Sequence, residues 1–206
     1  MTDFDAYIFD MDGTLWDAVD SYCAVWNETY RQMGLDIEPL TYDRLKTLMG
    51  KPLTSIYDVL VGSRADSDSF HKVLRENEAR MMPSLGGKLY PGTDTLRELH
   101  ESGRRLFMVS NCSPSGLDNF LDFTRLRPIF TDYLSFGMNG KEKDENIHIL
   151  IGRYNLKKAL YIGDTQDDCT RSHEAGALFA WASYGFGKSV TGADYVLRNL
   201  SDLKSL

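Results

Sequence analysis

The clearest pattern along the chain is a change of period. Tyr7, Ile8 and Phe9, following Ala6, form an apolar run too short for a helix, and it reads as a strand buried on both faces. From about residue 17 the apolar positions recur every three or four residues. Val19, Tyr22, Cys23, Val25, Trp26, Thr29, Tyr30 and Met33 predict a helix over 17–33 that Gly34 ends. A second helix, capped by Thr41 or Asp43, is expected to run to Met49 and to break at Gly50-Lys51-Pro52. Two more are expected over 53–61 and 66–82, the latter capped by Ser67 or Asp68. About 70 residues, all helical in pattern, thus separate the first strand from the next, more than a strand-to-strand crossover needs. The reading is a helical cap, residues 16–85, inserted after the first strand. Residues 83–91, with Gly86-Gly87, form a linker that pairs with 14–18 as hinges, although Gly and Pro serve equally in ordinary loops.

Beyond Pro91 strands and helices alternate. Helices are predicted over 92–102, 114–123, 146–154 and 167–175, with Gly103 and Gly176 as stops. Strands are predicted at 106–109, 133–136, 159–162, 178–181 and 195–197. This alternation predicts an α/β fold, a doubly wound parallel sheet built from residues 1–15 and 86–206, with helices on both faces.

Composition narrows the function classes. The 206 residues suit one domain, or a core domain with an insert, and 42% hydrophobic content supplies a core. A net charge of −7 argues against nucleic acid as a partner. A small anionic substrate then needs a local lysine and a metal to offset the field. Cys23, Cys112 and Cys169 are odd in number and far apart, which gives neither a disulfide framework nor a zinc spacing. No stretch approaches the ~20 apolar residues of a membrane helix, and the acidic Met1-Thr2-Asp3 leads straight toward a strand without a secretory segment. The expectation is a cytoplasmic protein, monomer or homodimer.

The candidate chemistry begins at Asp10-Met11-Asp12-Gly13-Thr14. In an extended segment residues two apart point the same way, so Asp10 and Asp12 can converge at the strand's carboxyl end, where open parallel sheets bind ligands. Two carboxylates that close repel, and a hard dication such as Mg2+ relieves them. The plainer reading, an acidic turn, weakens once the downstream strand ends are included. One ends at Ser110-Asn111 and another at Gly163-Asp164, and Lys141 and Lys143 precede a helix. Parallel topology brings such ends to one edge although they lie about 150 positions apart. The residue types suit phosphoryl transfer: a carboxylate to attack phosphorus, a second carboxyl to shuttle the proton, and a hydroxyl and an ammonium to hold the phosphoryl charge.

Together these segments resemble the haloacid dehalogenase superfamily, in its phosphoglycolate-phosphatase-like branch. Asp10-Met11-Asp12-Gly13-Thr14 matches the first motif, Ser110-Asn111 the second, Lys143 the third and Gly163-Asp164-Thr165-Gln166-Asp167-Asp168 the fourth. The resemblance covers residues 4 to about 190 and implies a Rossmann-like core, a helical cap and a Mg2+-dependent phosphatase acting on a small phosphorylated metabolite through an aspartyl phosphate. It implies Asp10 as nucleophile and metal ligand, and Asp12 as acid/base with its backbone carbonyl on the metal. Asp164 would bind Mg2+, and Asp168 would ligate it or support the ligands. Ser110 and Lys143 would hold the phosphoryl group, assisted by Thr14 and Asn111, and Trp16, Gly50 and Lys51 would supply specificity from the cap side. Lys143 is favoured over Lys141 because it directly precedes the helix start, although the Pro that often follows this lysine in relatives is missing. The four-residue step from Asp164 favours Asp168 over Asp167. Pyrophosphatase and nucleotide phosphatase are the alternatives within the same chemistry. A sugar phosphomutase fits poorly, since the cap lacks that branch's basic element. A phosphoacceptor signalling module would not need the helical insert.

Overall fold

The computed structural model describes residues 4–206; Met1, Thr2 and Asp3, on which the leader expectation rested, lie outside the described residues. β1 (Ala6–Phe9) and the short β2 (Trp16–Asp17) precede four helices: α1 (Val19–Gln32), α2 (Tyr42–Lys46), α3 (Leu53–Leu60) and α4 (Ser67–Leu85). β3 (Lys88–Leu89) then pairs antiparallel with β2, Trp16 opposite Leu89. Next come α5 (Asp94–Glu101), β4 (Arg105–Ser110), α6 (Pro114–Thr124), β5 (Phe130–Ser135), α7 (Phe136–Asn139) and α8 (Lys143–Tyr154). The chain closes through β6 (Ala159–Gly163), α9 (Gln166–Glu174), β7 (Leu178–Ala182) and β8 (Tyr195–Leu197).

The main sheet is parallel throughout, in the order β5-β4-β1-β6-β7-β8. All four residues of β1 are buried, as its uninterrupted apolar run required. Successive side chains enter opposite layers. Tyr7, Phe9, Met108 and Ile162 pack on one face, and Ile8, Phe107, Val109 and Tyr161 on the other. From β1 the chain builds outward to β4 and β5, then returns to β6 on the other flank. This reversal is where open α/β sheets form a ligand crevice.

The segment between β2 and β3 folds into helices and turns, with its own aromatic centre in which Phe70 meets Trp26 and Tyr57, each at 5.3 Å between ring centroids. Thr29 bonds the Val25 carbonyl through its hydroxyl and receives the Asn77 amide at 3.1 Å, so the polar groups buried between α1 and α4 satisfy one another.

Several boundaries differ from the sequence expectation, each for a physical reason. α1 starts at Val19 because Trp16 and Asp17 are drawn into the ribbon with β3, and Asp17 accepts from the Val19 N–H at 3.1 Å. α2 ends at Lys46 rather than Met49, since the N–H groups of Leu48 and Met49 turn to carbonyls three residues back. Asp66, not Ser67 or Asp68, caps α4 by accepting from the Ser69 N–H. α4 also passes through Pro83 to Leu85. In the last turn proline forfeits one helical bond, and Gly86, at φ +58°, closes the helix onto the Met82 carbonyl. The linker therefore begins at Gly86. β5 begins at Phe130, where polar Thr131 and Asp132 hide the strand from an apolar-run reading. α8 begins at Lys143 rather than residue 146, because Glu142 and Glu145 form a capping box. No described helix is long and apolar enough to cross a membrane.

Candidate active site

β1 sits between two parallel neighbours, with Phe9 in register with Met108 and Ile162. The residues that follow therefore reach one edge together: Asp10 after β1, Ser110 at the end of β4, and Asp164 after β6. The Asp10 N–H donates to the Ile162 carbonyl at 2.9 Å, which fixes the exit from β1. Asp10, Asp12, Ser110, Asn111, Lys143, Asp164 and Asp168 are all buried.

A chain of ionic contacts organises the edge. Lys143 Nζ lies 2.9 Å from Asp10 Oδ2 and 2.5 Å from Asp168 Oδ1. The other oxygen of Asp168 accepts from the Thr165 N–H (2.9 Å), the Thr165 hydroxyl (2.7 Å) and the Asp164 N–H (3.2 Å). Asp168 thus has both oxygens engaged and braces the loop that carries Asp164. Asp164 Oδ2 accepts from the N–H groups of Phe186 (2.7 Å) and Gly187 (3.1 Å). Asp164 Oδ1 and Asp10 Oδ1 are buried without a hydrogen-bond partner. Asp10, Asp164 and Asp168 each offer an oxygen within 4.8 Å of the others. Gly13 explains itself here: its φ is +82°, and a Cβ at this position would stand 2.5 Å from Asp164 Oδ2.

The two carboxyls of the first motif are held differently. Asp12 Oδ1 accepts from the Trp16 indole N–H at 2.9 Å. Burial, and then the neighbouring Asp10, push Asp12 well above the usual carboxylate range. Burial also raises Asp10, but Lys143 opposes it and the group settles at about 6. Burial, with Asp168 and Asp10 nearby, raises Asp164 to about 7. Asp168 goes the other way: burial works against its charge, but Lys143 and Thr165 outweigh it and hold the carboxyl below its ordinary value. Burial likewise opposes the Lys143 charge, and Asp10 and Asp168 override it.

The structure therefore brings Asp10, Lys143, Asp164 and Asp168 into contact and places Asp12, Ser110 and Asn111 in the same cleft as Asp10. Lys141 is on the surface, paired with Glu145 at 3.0 Å, and Asp167 is exposed toward Arg171. Gly50 and Lys51 line the cleft from the cap side, and the Gly50 carbonyl accepts from Asn111 Nδ2 at 2.8 Å. Trp16 does not face the cleft. It is fully buried against Phe120, 5.0 Å between ring centroids, and orients Asp12 instead. Thr14 is also buried away from the cleft, its carbonyl accepting from the Tyr184 hydroxyl. Burial pushes the Cys112 thiol upward, so it stays protonated although it lines the cleft.

Other functional positions emerge only in the folded chain. Phe186 and Gly187 supply the N–H pair on Asp164; the signal for them was the Gly185-Phe186-Gly187 spacing. Tyr22, Trp26, Leu45, Met49, Leu53 and Ile56 form an apolar wall over the cleft, which measures ≈ 610 Å³ with its open mouth. Glu78 lines the same cleft. It falls on the buried stripe of α4 with Phe70, Leu74 and Met82, an acidic residue where the period calls for an apolar one.

Comparison with known proteins agrees with this geometry. The haloacid dehalogenase-like hydrolase family matches residues 7–182. The chain belongs to that family. It is 24% identical over 217 residues to phosphoglycolate phosphatase of Vibrio parahaemolyticus serotype O3:K6, covering 95% of this chain and 92% of the relative. It is 26% identical over 205 residues to phosphoglycolate phosphatase of Aquifex aeolicus, covering 97% and 94%. A crystal structure of a predicted phosphoglycolate phosphatase from Haemophilus somnus 129pt superposes with a TM-score of 0.85 at 21% identity, covering 100% of this chain and 98% of that one. The haloacid dehalogenase-like member described here is thus a hydrolase of the phosphoglycolate-phosphatase-like branch.

Proposed function

We propose that this hydrolase is a Mg2+-dependent phosphatase that cleaves a small phosphomonoester through an aspartyl-phosphate intermediate on Asp10. The observation that carries the reading is the division between the two carboxyls of the first motif. Lys143 helps Asp10 to ionise, whereas burial and the neighbouring Asp10 favour the protonated form of Asp12. Environments that push two acids apart in this way mark nucleophile and proton donor. Asp10 attacks phosphorus, the ester P–O bond breaks, and Asp12 gives its proton to the departing alkoxide. Asp12, now a carboxylate, takes a proton from water as that water attacks the phosphorus of the aspartyl phosphate. Inorganic phosphate leaves, and both carboxyls return to their starting states. Ser110 and Lys143 hold the phosphoryl oxygens from the side of β4 and α8.

The unpartnered, buried Asp10 Oδ1 and Asp164 Oδ1 fit a hard dication. The side chains of Asp10 and Asp164 and the backbone carbonyl of Asp12 would hold Mg2+, and Asp168 would brace them, since its oxygens are already taken. Bound there, Mg2+ neutralises the phosphoryl oxygens and the nucleophile together. The test is steady-state hydrolysis of an aryl phosphate with Mg2+ and with a chelator. Many turnovers with the metal and none without it are expected. A single phosphorylation that is retained would instead mark a phosphoacceptor module.

Metal-free protein carries a pH signature. Asp10 and Asp164 titrate at about 6 and about 7 in the fold, against 3.8 when unperturbed. Between those values the folded chain binds protons that the unfolded chain has released, so stability falls as pH rises. Asp168 is shifted downward, so its opposite contribution is complete at lower pH. Thermal melts of metal-free protein should therefore drop steadily from about pH 5 to about pH 7, by a few kcal/mol in all. Added Mg2+ should raise the melting temperature more at about pH 7.5 than at about pH 5. A Mg2+ shift of equal size at both values would contradict the assignment of these two carboxylates.

A further inference from the structure

We propose that Glu78 sets the substrate class of this phosphatase: it excludes phosphomonoesters whose alcohol half carries an anion and favours those ending in a hydroxyl or an ammonium. The inference rests on the phosphatase reading and concerns only the group that leaves. Glu78 is 4% exposed and lines the cleft shared with Asp10 and Asp12. It comes from α4 in the cap, across from the reacting carboxyls. Ser115 donates to its Oε2 at 3.0 Å and Ser113 at 3.3 Å. Ser113 is the N-cap of α6, so the carboxyl stands at the positive end of an eleven-residue helix. Burial raises the Glu78 carboxyl above its ordinary value, and the two serines and Arg75 work against that rise. Its other oxygen, Oε1, has no hydrogen-bond partner among the described residues.

Arg75, one turn back on α4, acts on Glu78 but is exposed to solvent, and among the described residues no buried cation lines the cleft. Tyr22, Trp26, Leu45 and Ile56 are buried around it, and Lys51, the cation of the cleft lining, is exposed, where solvent screens its charge. Lys143, the buried cation, already sits between Asp10 and Asp168. A second anion on the substrate would thus lie against a buried carboxylate in apolar surroundings, which like-charge juxtaposition disfavours strongly. A hydroxyl or ammonium would instead find an acceptor. This distinguishes the chain from what the names of its relatives suggest, because phosphoglycolate carries a carboxylate on the leaving half.

Three two-carbon esters isolate the effect: phosphoglycolate, hydroxyethyl phosphate and phosphoethanolamine. With wild-type protein and Mg2+, kcat/KM is expected to be at least about tenfold lower for phosphoglycolate than for the other two. Glu78→Gln should lift phosphoglycolate relative to hydroxyethyl phosphate about tenfold and lower phosphoethanolamine relative to it. Lys51→Ala tests whether the exposed cation of the lining offsets Glu78. A purely structural role for Glu78 would move all three esters together, and that result overturns the proposal. So does a wild-type preference for phosphoglycolate, or a phosphoglycolate rate that depends on Lys51. The wild-type series stands even if Glu78→Gln does not fold. An aryl phosphate assayed alongside separates the two readings: turnover of it with phosphoglycolate preferred overturns the substrate class alone, whereas no turnover of any ester overturns the phosphatase reading as well.

Discussion

Replacing Asp10 by Asn should reduce kcat for Mg2+-dependent aryl phosphate hydrolysis by at least ~10³-fold while the protein remains folded. The amide has the carboxylate's shape, so it fills the same space at the end of β1, but it cannot attack phosphorus to give an acyl phosphate that water then clears. Stability should hold for a second reason. Asp10 is buried beside Asp12 and within reach of Asp164, and burial is the largest influence on all three. Removing one charge relieves this crowding, and Lys143 keeps its contact with Asp168. The melting temperature of metal-free Asp10→Asn should therefore match or exceed that of the wild type, and the rise on adding Mg2+ should shrink, because one ligand is gone. Steady-state rates with acid-quenched phosphate labelling, read beside thermal melts, check both halves. Activity within tenfold of wild type would remove Asp10 as nucleophile. Lost activity with a collapsed melt would show only that the edge had come apart.

Much of this site was legible before the fold was known, for a physical reason. The parallel sheet is written in short apolar runs, and each functional group sits directly after one of them, so Asp10, Ser110 and Asp164 could be placed on a common edge from topology alone. Lys143 was preferred over Lys141 on its position before a helix, and it proves to be the first residue of α8, buried, while Lys141 is a surface ion pair. The failures have one source: contacts between residues distant in sequence. Trp16 looked like a cap residue facing substrate, but the ribbon formed with Lys88 and Leu89 turns it into the core, where its N–H holds Asp12. The N–H groups that fix Asp164 come from residues 186 and 187, whose Gly-Phe-Gly spacing marks a turn but not the distant partner it meets. Glu78 was the reverse case. Its misfit on an apolar stripe was visible, but its meaning depended on α6 meeting α4 across the cleft.

Lys143→Met is expected to cost both stability and rate, and the two costs should separate in a second variant. Lys143 is 2% exposed and touches two buried carboxylates. Methionine keeps the stem but leaves Asp10 and Asp168 without their shared cation. Breaking a buried pair by removing one partner typically costs ~3–5 kcal/mol, a large share of the ~5–15 kcal/mol that holds a domain folded. For a chain of this size that is a fall of roughly 10 °C in melting temperature. kcat should fall ~10²- to 10³-fold as well, since the phosphoryl oxygens lose a preorganised cation. Removing the Asp168 charge too, in Lys143→Met with Asp168→Asn, should return much of the stability, because Asn still accepts from Thr165 and the one carboxyl left without the cation, Asp10, is already pushed by burial toward its neutral form. It should return none of the rate. Equilibrium denaturation of both variants beside steady-state kinetics measures the pair. If Lys143→Met lay within about 1 kcal/mol of wild type, the ammonium would be a surface charge in all but position, and the ordering of Asp10 by Lys143 would have to be abandoned.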